Sequence, residues 1–243
     1  MIPKYSQQPA VLITGGAKRI GETIALHLSS LGYAIALHHN HSHTDVQRLA
    51  RKIKEQGGWC EIFKADLAKE NETVPLIKNV LKKLPNLKVL INNASIFERS
   101  NLHTEDLKIF DRHMAINLKA PYILSIQFAK HCKSGQIINL LETNIVKNKL
   151  THVAYLLSKK ALASLTNLSA VEFAPNIRVN GVAPGFILPP VKRSNAYIKK
   201  LLDEIPLKHQ GNPLDIAKAI QFLLEHEYLT GQIIFVDGGQ HLT

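Results

Sequence analysis

Residues 10–21 read AVLITGGAKRIG, and they decide the fold of this chain. The apolar run at 10–14 is typical of a buried parallel strand. Two glycines follow it, and a helical pattern then places Ile20, Ile24, Leu28 and Leu31 on one face, with Gly32 as a stop. A buried strand that turns through glycines into an amphipathic helix predicts the first half of a βαβ unit.

The rest of the chain repeats this alternation. Further strands are predicted at 33–37, 60–63, 88–91, 136–141, 177–182 and 232–236, and helices at about 46–56, 71–84, 104–131, 151–173 and 195–226. Strands that alternate with helices pair in parallel through right-handed crossovers. We predict a single α/β domain over residues 1–243, a Rossmann-type doubly wound sheet of about seven strands with helices on both faces. Ligands bind such a sheet at the carboxyl ends of its strands.

Composition narrows the class of protein. A chain of 243 residues with 45% hydrophobic residues suits one domain with a sizeable core. The first residues lack an apolar signal region, and no apolar run is long enough to span a bilayer, so we expect a cytoplasmic protein without a membrane partner. Cys60 and Cys132 lie far apart and are expected to be free thiols.

The chain is basic, with a net charge of +11. One interpretation is binding to nucleic acid. The other is a basic surface that attracts a phosphorylated cofactor or an anionic substrate. Because Lys and Arg are spread along the chain without an arginine-rich run or interleaved aromatics, we favour the second and expect no nucleic-acid partner.

The turn after the first strand is typical of nucleotide binding. Gly15 allows a tight turn and Gly21 allows close helix packing, while the helix N-terminus offers N–H groups to a pyrophosphate. The segment fits the pattern TGxxxGxG except that Arg19 replaces the middle glycine. An ordinary strand–helix turn is the alternative, and the βαβ context favours the nucleotide.

The end of the second strand indicates which nucleotide. An acid there would bind the ribose 2′-OH of NAD. This chain instead reads LHHNHS at 37–42, has no acid until Asp45 and carries Lys18 nearby, which favours NADPH. The clustered histidines, which include His43, could alternatively form a metal tract or plain polar surface.

Tyr155 and Lys159 lie four residues apart in a predicted helix and so project from one face. An ammonium beside a phenol lowers the pKa of the Tyr, which would make it a proton donor and acceptor near neutral pH. A chance surface pair is the alternative. Because the pair follows a nucleotide-type turn and an NNA segment, the order favours a pyridine-nucleotide oxidoreductase.

These motifs resemble the short-chain dehydrogenase/reductase family over essentially the whole chain. The likeness lies in TGGAKRIG, in NNAS at 92–95, in Tyr155 with Lys159, and in VDGG at 236–239. Within the family the chain is most similar to pteridine reductases and bacterial dihydromonapterin or dihydrofolate reductases. That narrower likeness rests on Arg19 in TGxxKR, on ALHHNHS at 36–42, and on Phe97 in NNASIF.

The resemblance implies a role for individual residues. Tyr155 would donate the proton, Lys159 would hold the nicotinamide ribose, and Asn117 would support a water or backbone relay to Lys159. Phe97 would stack on a pterin, with a core aromatic as the alternative. The implied cofactor contacts are Gly15, Lys18, Arg19, Ile20, His39, Asn40, His41, Ser42, Asp66, Leu67, Asn93, Ala94, Ser95, Tyr155, Lys159, Pro184 and Gly185. The implied substrate contacts are Arg19, Ser95, Phe97, Glu142 and Tyr155.

The chain departs from most of the family at Glu142. Most members have a Ser 13 positions before the active Tyr, where this chain has Glu142 and pteridine reductases have Asp. A carboxyl suits a ring imine, whose nitrogen needs a proton, whereas a carboxylate opposes the oxyanion of a ketone. Glu142 could alternatively point to solvent, with Thr143 taking its place.

The sequence therefore predicts an NADPH-dependent reductase of a dihydropterin or dihydrofolate at the C6=N5 imine. A carbonyl reductase, for instance of 3-oxoacyl thioesters, and a non-catalytic NADP(H)-binding regulatory protein are the alternatives. The family likeness also implies a homotetramer or homodimer. A substrate lid is expected at 186–207, where Pro189-Pro190 and Lys192-Arg193 suggest a segment that orders on binding.

Overall fold

The computed structural model describes residues 7–103, 107–188 and 195–243, and seven strands in these ranges form one parallel sheet. The strand order is β3-β2-β1-β4-β5-β6-β7, so the order reverses between β1 and β4. This confirms the predicted doubly wound architecture. The strands are β1 (Ala10–Ile13), β2 (Ala34–His39), β3 (Cys60–Lys64), β4 (Leu87–Asn92), β5 (Gly135–Leu140), β6 (Ile177–Pro184) and β7 (Ile233–Val236).

Helices cover both faces of the sheet. On one face α1, α2 and α9 pack against Val11 and Ile13, and on the other α4, α6 and α7 pack against Ala10 and Leu12, because successive strand residues point to opposite sides. The helices are α1 (Arg19–Ser30), α2 (His43–Glu55), α3 (Glu70–Thr73), α4 (Leu76–Lys83), α5 (Leu107–His113), α6 (Ala120–His131), α7 (Val153–Glu172), α8 (Asn195–Asp203) and α9 (Pro213–Glu225). Short 3-10 helices lie at Thr143–Val146 and Gln240–Leu242, and a π-helix lies at Met114–Lys119.

Several element boundaries differ from the predictions. The helix expected at 71–84 is divided between α3 and α4, because Pro75 has no N–H to continue α3. Leu31, expected on the buried face of α1, is 44% exposed and follows the end of that helix. β2 runs two residues further than predicted, to His39, because His38 and His39 pair with β3 although they are not apolar.

Both cysteines are buried free thiols, as the sequence predicts. Burial raises the pKa of Cys60 to about 12 and that of Cys132 to about 11, so neither is a reactive thiolate at neutral pH. Among the described helices, none is both long and apolar enough to cross a bilayer.

Candidate active site

A cleft of about 940 Å³ opens at the carboxyl ends of the strands, where the sequence predicts the ligand site. Most of the predicted site residues line it, from Gly15 at one side to Gly185 at the other. Three do not, namely His39, Ser42 and Asn117. The predicted residues in the lining are Gly15, Lys18, Arg19, Ile20, Asn40, His41, Asp66, Leu67, Asn93, Ala94, Ser95, Phe97, Glu142, Tyr155, Lys159, Pro184 and Gly185.

The glycine turn packs closely against the surrounding backbone. Gly15 has φ +61°, and a Cβ there would lie 2.9 Å from Cα of Ala94. A Cβ on Gly21 would lie 2.7 Å from the carbonyl oxygen of Gly15. Side chains are thus excluded between the turn, α1 and the segment after β4. The N-terminus of α1, where Lys18 makes no side-chain cap, lies in the same lining and suits a phosphate.

The turn is held against β4 by polar side chains. Asn93 donates from Nδ2 to the carbonyl oxygens of Thr14 at 2.8 Å and Gly15 at 3.0 Å. Thr14 Oγ1 in turn accepts the N–H groups of Asn93 and Ala94, both at 3.0 Å. The NNA segment therefore fixes the shape of the turn as well as lining the cleft.

Arg19 adopts a backbone conformation that usually needs glycine. Its φ is +56°, in the left-handed region that is unfavourable for a residue with a Cβ. This is the position where the TGxxxGxG pattern has its middle glycine. The chain therefore places a guanidinium in the cleft at the expense of local backbone strain.

The histidines at the end of β2 and just after it have different roles. His38 is buried, accepts the Gly15 N–H at Nδ1 (3.1 Å) and lies 3.1 Å through Nε2 from the carbonyl oxygen of Ala65. Burial lowers the pKa of His38 to about 4, so it stays neutral and supports the turn. His41 lines the cleft, whereas His39 is 3% exposed and packs near His43 at 5.8 Å between ring centroids. Within the described ranges no three His, Cys, Asp or Glu side chains gather as a metal site.

Glu142 and Tyr155 meet in the cleft. Tyr155 Oη donates to Oε2 of Glu142 at 3.2 Å, while Oε1 accepts the N–H of Asn144 at 3.1 Å. The expected alternative, in which Glu142 faces solvent and Thr143 replaces it, is wrong. Thr143 is buried and donates its hydroxyl to Asp237.

The pKa of Tyr155 shifts in the direction opposite to the one predicted. Burial raises it well above its usual value, and the charge and hydrogen bond of Glu142 raise it further. Burial lowers the pKa of Lys159 to about 8 against the opposing effect of Glu142. Lys159 Nζ donates to the carbonyl oxygen of Leu140 at 2.7 Å and lies 5.9 Å from the Tyr155 ring centroid. The expectation that Lys159 lowers the pKa of Tyr155 is therefore wrong here, because burial and Glu142 dominate.

Asn117 sits in the π-helix between α5 and α6 and supports the site from behind. Its Oδ1 accepts the Ile96 N–H at 2.9 Å and the Ser95 hydroxyl at 3.2 Å. Its Nδ2 donates to the Ile96 carbonyl and to Ser158 Oγ, both at 3.1 Å. The carboxamide thus joins the strand-β4 loop to α7, and the relay to Lys159 stays a prediction.

Phe97 lies at the mouth of the cleft and not in the core. It is 63% exposed, so the core alternative is wrong. Its ring stacks on His152 at 4.1 Å and lies nearly perpendicular to the Tyr155 ring at 4.7 Å between centroids. Sequence reasoning missed His152, although its position three residues before Tyr155 was a usable signal.

The predicted lid is only partly within the described residues. Phe186, Ile187 and Leu188 line the cleft, and Gln210 donates from Nε2 to the Ile187 carbonyl at 2.7 Å. Pro189, Pro190, Lys192 and Arg193 lie outside the described residues.

The sequence is similar to known reductases over nearly its whole length. Residues 15–241 match the family model described as enoyl-(acyl carrier protein) reductase. The 3-oxoacyl-[acyl-carrier-protein] reductase FabG of Staphylococcus epidermidis is 32% identical over 242 residues, which cover 96% of this chain and 99% of that protein.

Two solved structures are similar over nearly the whole length. One is FolM alternative dihydrofolate reductase 1 from Brucella suis in complex with NADP, with 33% identity, a TM-score of 0.92 and coverage of 98% of this chain and 97% of that one. The other is FolM from Brucella canis complexed with NADP, also with 33% identity and a TM-score of 0.92, covering 97% and 94% of the two chains. With its parallel sheet, its glycine turn and its Tyr155–Lys159 pair, this chain belongs to the short-chain dehydrogenase/reductase family.

Proposed function

We propose that this protein is an NADPH-dependent reductase of a dihydropterin or dihydrofolate at the C6=N5 imine. The observation that carries the proposal is the hydrogen bond between Tyr155 and Glu142 inside the cleft. A carboxyl–phenol pair holds a proton next to the reacting position, which is what an imine nitrogen requires. The two similar solved structures are of FolM alternative dihydrofolate reductases, which supports this substrate class.

The cleft fits the proposed cofactor. The pyrophosphate would lie against the backbone N–H groups of the glycine turn and of the first turn of α1, and Lys18 and His41 would lie near the 2′-phosphate. Asp66 and Leu67 would contact the adenine side, and Pro184 and Gly185 the nicotinamide. When bound, NADPH supplies the hydride. The complexes of both FolM structures with NADP support this choice of cofactor.

The side chains of this protein would supply and move the proton. Because its pKa is raised, Tyr155 keeps its proton at neutral pH and can donate it from Oη to N5. Glu142 accepts a hydrogen bond from the Tyr155 hydroxyl at 3.2 Å. It would orient this hydroxyl and relay a replacement proton to Tyr155. Phe97, which is exposed at the mouth, would stack on the bicyclic ring.

A second candidate is reduction of a 3-oxoacyl thioester, favoured by the 32% identity to FabG. The site argues against it, because an ionised Glu142 next to Tyr155 would oppose the negative charge that develops on a ketone oxygen. Substrate comparison separates the two candidates directly.

The test is steady-state NADPH oxidation with 7,8-dihydrobiopterin, dihydromonapterin, dihydrofolate and an acetoacetyl thioester. We expect turnover of one or more of the first three, loss of it in Tyr155→Phe, and a fall of roughly 100-fold in kcat for Glu142→Gln, because the proton relay to Tyr155 is lost. Tyr155→Phe should still bind NADPH.

The result that would overturn the proposal is thioester reduction without pterin or folate reduction. NADPH binding without turnover of any of these substrates would equally count against it, and would favour a non-catalytic cofactor-binding protein.

A further inference from the structure

Residues 237–242 connect two segments that line the catalytic end of the cleft. One wall segment follows β5 and carries Glu142; the other follows β6 and carries Gly185 and Phe186. Asp237 and the short helix Gln240–Leu242 contact both of them. These contacts lie behind the cleft, and Asp237 and Gln240 are not among its lining residues.

On the first wall, neighbouring residues bond to opposite sides. Glu142 has an extended backbone (φ −156°, ψ 139°), and side chains on either side of an extended residue point away from its own side chain. Thr143 is 2% exposed and donates inward to Asp237, while Glu142 reaches outward to Tyr155. The direction of Glu142 is therefore coupled to the anchoring of Thr143.

Asp237 is itself held firmly. Its carboxylate accepts the N–H of Gly239 at 3.0 Å and the N–H of His241 at 2.8 Å. His241 Nδ1 lies 2.9 Å from Oδ2, and the His241 ring stacks on Phe235 at 4.1 Å. An acceptor with this many donors does not swing freely, so it gives Thr143 a fixed anchor.

On the second wall, the same segment packs closely against Gly185 and Phe186. A Cβ on Gly185 would lie 2.5 Å from Cβ of Asp237. The N–H of Phe186 donates to Oε1 of Gln240 at 3.1 Å, and the N–H of Gly185 donates to the Val236 carbonyl at 3.0 Å. Asp237 thus stands between the segment that carries Glu142 and the segment that lines the proposed nicotinamide side.

We propose that Asp237, acting through the Thr143 hydroxyl, is a positioning residue that directs the Glu142 carboxyl at Tyr155. His241 and Phe235 hold Asp237 in place. The inference rests on the proposed role of Glu142 in proton transfer. It adds Asp237 and Thr143, neither of which lines the cleft, as residues that act through Glu142.

The test uses a matched pair at one position. Thr143→Val keeps the shape of the side chain and removes the hydroxyl, whereas Thr143→Ser keeps the hydroxyl. We expect kcat with the reducible dihydropterin to fall on the order of ten-fold in Thr143→Val, since proton transfer is sensitive to misplacement on the ångström scale, and to recover in Thr143→Ser. NADPH affinity should not change. In a Glu142→Gln background, Thr143→Val should have no further effect, because the group that it positions is already removed.

A second readout needs no substrate. Tyrosine labelled with ¹³C at Cζ allows the titration of Tyr155 to be followed by NMR, with Tyr155→Phe to assign the signal. Because the Glu142 carboxylate raises the pKa of Tyr155, releasing Glu142 should lower the midpoint in Thr143→Val and leave it at the wild-type value in Thr143→Ser. If the protein reduces no dihydropterin, the proposed function fails, yet this titration still decides the positioning role.

Additive effects of Thr143→Val and Glu142→Gln, or an unchanged Tyr155 midpoint in Thr143→Val, would overturn the proposal. If Thr143→Val does not fold, Asp237→Asn provides the same test, because its amide nitrogen cannot accept the bonds that one carboxylate oxygen now accepts. The expected shift is in the same direction and smaller.

Discussion

The backbone N–H of Gly15 donates to Nδ1 of the buried His38 at 3.1 Å. Nε2 of the same ring lies 3.1 Å from the carbonyl oxygen of Ala65 and must therefore carry the proton. One neutral tautomer thus ties the glycine turn to the loop after β3. His38, which was not among the predicted cofactor contacts, thus shapes the turn and also lines the cleft.

Acid should therefore destabilise the fold through His38. Its pKa is about 4 in the folded protein and near 6.5 when unfolded, so between these values only the unfolded chain takes up the proton. The contribution of neutral His38 is complete above pH 6.5 and is lost progressively down to pH 4, by about 3 kcal/mol in all. Urea unfolding at pH 7, 5.5 and 4 measures this. His38→Asn, which keeps an acceptor but does not titrate, should flatten the dependence, and His209→Asn on the exposed surface is the matched control. A dependence in His38→Asn as steep as in the wild type would contradict the assignment.

The ion pair between Lys18 and Asp45 should weaken cofactor binding. Lys18 lines the cleft, but its Nζ lies 2.8 Å from the Asp45 carboxylate, which competes for the charge expected to meet the 2′-phosphate. Because Asp45→Asn removes this competing charge, it should tighten NADPH binding roughly two- to five-fold, as expected for a single exposed ion pair. Fluorescence titration with NADPH measures the effect. Glu61→Gln removes a comparable pair with Lys83 at 3.2 Å outside the cleft lining and should change nothing. Equal affinities in the wild type and Asp45→Asn would argue against a phosphate near Lys18.

The protein should be less stable with Ala than with Gly at position 19. Both variants remove the guanidinium, but Ala keeps a Cβ at φ +56° and Gly does not. The left-handed conformation favours Gly, whereas the larger entropy of Gly in the unfolded chain favours Ala. With both effects included, we expect the free energy of unfolding of Arg19→Gly to be roughly 0.5–1 kcal/mol higher than that of Arg19→Ala. Lys52 is exposed in helix α2, where Ala is favoured over Gly. There the order should reverse, and Lys52→Ala should be more stable than Lys52→Gly by about 1 kcal/mol. Urea unfolding of the four variants decides, and an advantage of Ala at position 19 would refute the strain.

Phe97 should contribute to substrate binding and not to stability. It is 63% exposed at the mouth of the cleft, so its ring is accessible to a substrate ring there. An aromatic pair contributes about 0.5–1.5 kcal/mol beyond burial, so Phe97→Leu should raise KM for the dihydropterin about three- to ten-fold and leave the Kd for NADPH unchanged. Phe222→Leu, which disturbs a similar pair with His226 at 4.1 Å, is the control. A KM that does not change in Phe97→Leu would exclude stacking.

The order of the strands and the position of the cleft could be predicted from sequence because they follow from local patterns. Apolar runs, the glycine turn and the spacing of the helices are properties of neighbouring residues, and parallel crossovers then allow few topologies. The boundaries were less accurate where a residue takes its state from a partner strand, as His38 and His39 do in β2. The expected homotetramer or homodimer and the cytoplasmic location stay predictions.

Much of the candidate site was also predictable, because Tyr155, Lys159 and Glu142 stand in a recognisable order along the chain. The direction of the Tyr155 pKa was predicted wrongly, since it depends on burial and on the Glu142 carboxylate at 3.2 Å rather than on the Lys four positions away. The contact of His152 with Phe97 and that of Asp237 with Thr143 were not predicted, because each joins distant parts of the chain. Of the two residues, only His152 stands close enough to Tyr155 in sequence to have been a candidate.

The sequence alone determined the class of fold, the nucleotide-type turn and the unusual carboxyl before the Tyr–Lys pair, because each of these is written in residues close together along the chain. Only the tertiary structure decided which histidine supports the turn, where Glu142 points and which charge governs Tyr155. Those properties depend on burial and on distances of about 3 Å between side chains far apart in sequence, and hydrogen bonds and pKa values respond to that scale.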